Sequence, residues 1–174
     1  MRAQRMPGMA GALALAIAMA QPSGGASAHV VLDAGEASPG AYFKAVFRVP
    51  HGCDGAPTTG LRVLLPPGVV VAKPQPKPGW TLRIEREPLT PPATNKGRAL
   101  SERVSAVSWE GGTLADDTFD EFAIMLRLPA EPGMVAFPVV QECGTRHVSW
   151  SDPPTTRGGH HDGHPAPTLL LKPR

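Results

Sequence analysis

The chain has 174 residues, 17 of them basic and 15 acidic, and its formal charge of +2 is supplied by Arg2 and Arg5 alone. From His29 onward acids and bases balance, which removes the electrostatic footprint of a nucleic-acid-binding protein. The length fits one domain of ordinary size, and 21 prolines with 19 glycines punctuate it so often that long helices have nowhere to form.

Arg2 and Arg5 precede an apolar, Ala-rich stretch from Ala10 to Ala20, then a short polar segment ending Ala26-Ser27-Ala28. These are the three parts of a secretory signal peptide. The apolar stretch is about a dozen residues, well short of the roughly 20 that a membrane-spanning helix needs. Residues 1–28 are therefore expected to be cleaved rather than to anchor the chain, and the mature protein is expected to begin at His29. No later segment has the length to span a membrane as a helix. Export would carry the protein to the periplasm or the cell exterior, where Cys53 and Cys143 are expected to form one disulfide. Copper ligation by free thiolates and an intermolecular bridge are the alternatives.

Period-two alternation then marks half-buried strands. Four runs show it, Tyr42 to Val49, Trp80 to Glu85, Glu121 to Leu128 and one beginning at Val135, and shorter candidate strands are His29 to Asp33, Leu61 to Leu65, Val69 to Lys73, Arg103 to Glu110 and Arg146 to Ser151. About nine strands at this spacing predict an all-β, antiparallel β-sandwich of immunoglobulin-like or cupredoxin-like type. Pro88 to Ser101 is polar and Pro-rich and reads as a long loop. The expected organisation is a cleaved segment over 1–28, a sandwich over 29–152 and a flexible His-containing tail over 153–174. For Thr168 to Lys172, a last short strand and an apolar patch on the tail are equal readings.

An N-terminal histidine has its own chemistry. Its free α-amine and imidazole Nδ1 can close a chelate ring on one metal ion, provided both nitrogens are deprotonated. Nitrogen ligands in tetragonal geometry favour Cu(II). The competing reading is that His29 merely opens an edge strand with a frayed end. His160, His161 and His164 form a second cluster, which reads either as a metal-capturing tract or as a solubilising tail. His147 reads as a strand surface residue.

His29-Val30-Val31-Leu32, the Glu36-Ala37 pair, Tyr42 to Pro50, Pro57-Thr58-Thr59, Pro76 to Trp80 and Gln141 to Trp150 together resemble the YcnI-like proteins, the DUF1775 family. The resemblance implies an exported β-sandwich that binds Cu(II) through a single-histidine brace, in which the first residue gives amine and imidazole, a carboxylate assists and a Trp lies close by. His29 matches the brace residue and Trp150 the neighbouring indole. Many members carry a Glu after the Arg-Val-Pro strand, where this chain has His51-Gly52-Cys53-Asp54. Asp54 leads as the oxygen ligand, His51 would give a second imidazole, and Glu36 could fold back across the Gly35 turn. Each also has a plain reading, as a turn residue, a side chain packed beside the disulfide and a solvated charge respectively.

The expected function is non-enzymatic copper trafficking or homeostasis, with the copper ion and other exported copper-trafficking proteins as partners. A histidine-brace oxidase or oxygenase and a metal-free immunoglobulin-like interaction module are the alternatives. The chain has no Gly-x-Ser-x-Gly elbow, phosphate loop or His-Glu-x-x-His motif that would point to other chemistry.

Overall fold

The computed structural model describes residues 29–153 and 163–173. These contain twelve strands and no helix, arranged as a β-sandwich. Residues 1–28, which carry the export reading, lie outside the described residues, as do His160 and His161.

A four-stranded sheet runs in the order β1 (Val31–Leu32), β3 (Tyr42–Val49), β8 (Asp120–Arg127), β5 (Val71–Pro74). The alternation seen in the sequence becomes its inner face: Ala45 pairs with Ile124 and Phe47 with Phe122, and all four are buried. Tyr42, Lys44 and Met125 face outward, as expected of a sheet with one wet side. The second sheet has five strands in the order β11 (Arg146–Trp150), β10 (Val139–Cys143), β4 (Thr58–Leu64), β7 (Arg98–Leu114), β6 (Thr81–Asn95). It contributes Leu61, Val63, Val107, Trp109 and Val139 to the same core. A small third sheet, β2 (Glu36–Ala37), β12 (Thr168–Leu171) and β9 (Gly133–Ala136), pairs β12 with β9 antiparallel and with β2 in parallel, the one parallel pairing among the described strands.

Three strands beyond the expected nine have specific origins. Glu36–Ala37 is a two-residue partner for β12, too short to show a period. The run beginning at Val135 divides at Phe137-Pro138 into β9 and β10, which join different sheets. Pro138 has no N–H to continue a ladder, and its carbonyl instead accepts from the Leu64 N–H at 2.9 Å.

The closing strand corrects the reading of 153–174 as a tail. Leu169 and Leu171 are fully buried, and β12 is paired on both sides. Pro88 to Ser101 also departs from expectation, forming a hairpin rather than a loop. Asn95 pairs with Arg98 around Lys96-Gly97, whose φ values of 48° and 75° suit a two-residue turn of the primed type. Its prolines are tolerated because β6 is an edge strand, and Pro91 and Pro92 fall where the register breaks between Pro88 and Ala93. Arg103, an unexpected buried cation, donates to the carbonyls of Leu65 and Pro66 and pairs with Glu87.

Candidate metal centre

Of the residues singled out in the sequence, His29 and Trp150 come together, His29 just before β1 and Trp150 at the end of β11, edge strands of the two main sheets. Val31 pairs with Arg48 and Leu32 with Phe47, and continuing that register sets His29 opposite Pro50, one residue from His51. Val30 is buried in the core and fixes the chain immediately after His29.

Trp150 ends β11 and is 3% exposed. Its ring meets that of His29 with centroids 5.5 Å apart and planes at 87°. A buried indole N–H needs an acceptor, and Trp150 Nε1 finds the Gln141 side-chain oxygen at 3.0 Å. The Gln141 amide nitrogen donates to the His51 carbonyl at 2.8 Å and to Thr58 Oγ1 at 2.7 Å. One buried side chain thus ties the indole to the His51 backbone. The disulfide between Cys53 and Cys143 fastens the same loop to β10 two residues from Gln141, with no free cysteine among the described residues.

The carboxylate candidates do not join this group. Asp54 sits at a positive φ of 49° in the turn after Cys53, its side chain 93% exposed and 3.8 Å from Arg146. Glu36 pairs with Lys172 at 2.6 Å, alongside the far end of β12. Asp33, which follows β1, and Glu121 on β8 are both engaged by Arg48 of the intervening β3. The hydrogen bond that Arg48 donates to Glu121, and then the charge of Asp33, raise the pKa of the guanidinium. His51 is half-buried, with Nδ1 at 2.5 Å from the Gly52 carbonyl oxygen. His147 is exposed on β11 opposite Glu142.

His164 arrives from the other end of the chain. Its ring lies 4.9 Å from the Trp150 ring, with planes at 79°. Asp152 holds its backbone on both sides: the carboxylate accepts the His164 N–H at 2.6 Å, and the Asp152 N–H donates to the His164 carbonyl at 3.0 Å. Gly163 permits this approach, since a Cβ there would stand 2.4 Å from the Asp152 carboxylate oxygen. Sequence reasoning reached Trp150 but assigned His164 to a separate tail and missed Gln141 and Asp152. Gln141 did leave a signal, being a polar residue between Val139 and Cys143 at inward positions of one strand.

Among the described residues, no group of three or more His, Cys, Asp or Glu side chains is assembled to hold a metal ion. A brace does not require one, because a single N-terminal histidine gives two nitrogens. A different feature, a pocket of ≈ 260 Å³ bordered by Lys44, Lys77, Pro78, Trp109 and Phe122, does not include His29 or Trp150.

A family model described as "Domain of unknown function (DUF1775)" matches residues 29–171. The chain belongs to the DUF1775 family. The match begins at His29 and runs through β12, so this DUF1775 domain includes the closing strand. Among solved structures it is similar to an uncharacterized protein from Nocardia farcinica described as having an immunoglobulin-like fold. The two are 33% identical over 82% of this chain and 97% of that one, with a TM-score of 0.63. No curated protein matches it. The immunoglobulin-like form of the sandwich is therefore the one this domain shares with a solved relative. Among its described residues, no helix is long and apolar enough to cross a membrane.

Proposed function

We propose that the mature protein begins at His29 and holds Cu(II) through the amine and imidazole of that residue, as an exported, non-enzymatic protein of copper trafficking or homeostasis. The observation that carries this reading is the packing of the His29 ring against the buried indole of Trp150. A frayed strand end would have no such partner. Two further facts support it: the family match starts at His29, and Ala26-Ser27-Ala28 immediately precedes it. Once the amine is free, the donor set is nitrogen-rich and lies beside an apolar, hydrogen-bonded wall, which suits Cu(II) above other common divalent ions. The wall would hold the imidazole in place and limit water at the chelate.

Calorimetric titration of Cu(II) into protein whose first residue is His29 is expected to show one tight equivalent. His29→Ala retains an N-terminal amine but lacks the imidazole, and is expected to bind at least about tenfold more weakly, about 1.4 kcal/mol. Equal affinity in the two proteins would remove His29 from the site.

A further inference from the structure

The ring of His164, which the sequence groups with His160 and His161, lies on Trp150. His29 and His164 therefore bear on one indole, from opposite ends of the domain, with ring centroids 5.5 and 4.9 Å from it and both rings nearly perpendicular to it. We propose that His164 supplies a second imidazole to the copper ion held by His29, so that the two ends of the chain close on one metal; this rests on the copper reading of His29 given above.

Three features support the assignment. The first is that His164 does not hang from a free tail. Asp152 bonds its N–H and its carbonyl, the Ala166 N–H donates back to the Asp152 carbonyl at 3.0 Å, and buried Leu169 and Leu171 secure the chain just beyond. The entropy of bringing this imidazole to the indole is thus met by folding rather than by metal binding. The second is that the residue itself is exposed, so its ring can turn about its side-chain bonds while its backbone stays fixed. The third is the surrounding chemistry: Asp54 and Glu36 pair with Arg146 and Lys172, the Asp152 carboxylate accepts the His164 N–H, and the chelate itself prefers a further nitrogen donor.

The test uses the full chain from His29 to Arg174, loaded with one equivalent of Cu(II). Electron spin echo envelope modulation detects the remote nitrogen of each equatorial imidazole and separates one from two. Two imidazoles are expected in the unsubstituted protein and one in His164→Ala, with copper affinity at least about tenfold lower in the variant. Copper is also expected to slow amide exchange at Gly163, at position 164 and at Ala166 in the unsubstituted protein and not in the variant. A single imidazole in both proteins, with equal affinity, would overturn the role of His164 and leave the His29 brace standing. Two imidazoles persisting in His164→Ala would also overturn it and assign the second to another histidine, with His51→Ala the variant to follow. No imidazole signal in either protein would remove the His29 reading and this inference with it.

Discussion

The buried indole N–H of Trp150 is bonded to the side-chain oxygen of Gln141 at 3.0 Å, across the β10–β11 pair. Because Gln141 also donates to the His51 carbonyl and to Thr58 Oγ1, it has both an acceptor and a donor role inside the core. An isosteric apolar residue can fill the space but can play neither role. Gln141→Leu is expected to destabilise the fold by about 2–4 kcal/mol, since it strands several buried polar groups at once. Urea unfolding measures this, and a loss below about 0.5 kcal/mol would mean that these groups find other partners.

The disulfide should matter for a different reason. Cys53 and Cys143 are 90 residues apart in sequence, so the bond closes a long loop and removes much of the freedom of the unfolded chain. Replacing both cysteines by alanine is expected to lower stability by about 2–5 kcal/mol. Comparison of the urea midpoints of the oxidised protein and the double variant checks it. Identical midpoints would show that the staple contributes nothing to folding.

The C-terminal strand belongs to the sandwich, and its removal should unfold more than a tail. Leu169 is completely buried among core residues, so Leu169→Ala is expected to cost about 2–5 kcal/mol through lost contact and the cavity left behind. Thermal melting followed by circular dichroism gives the shift. A melting temperature equal to that of the unsubstituted chain would return residues 163–173 to the status of an appendage.

Much of the fold was legible because its strands have one wet face. Phe43 to Val49 and Phe122 to Leu128 alternate in sequence for the same reason that they alternate in burial. The hairpin around Lys96-Gly97 was not legible, since prolines normally argue against a strand and only an edge position tolerates them. β12 was ambiguous because a four-residue apolar run carries no period of its own, and its partners β2 and β9 are far away in sequence.

At the site, His29 and Trp150 could be singled out from the sequence, and the fold brings their rings together. The proximity of His164 to the same indole could not be read, because it depends on Asp152 capturing the returning chain through its carboxylate and its backbone, contacts that leave no periodic pattern in the sequence. Asp54 follows its strand in sequence, yet a left-handed turn and Arg146 direct it to solvent.

The proposed chelate depends on the backbone amine of His29, and one comparison isolates that atom. Protein beginning at His29 and protein carrying a single added glycine before it have every side chain in common, and differ in whether the free amine and the imidazole belong to one residue. Electron paramagnetic resonance with one equivalent of Cu(II) reads the ligand set directly. The brace predicts a nitrogen-rich tetragonal spectrum for the first protein, and for the extended one a changed spectrum with affinity at least about tenfold weaker. Superimposable spectra with equal affinity would contradict it.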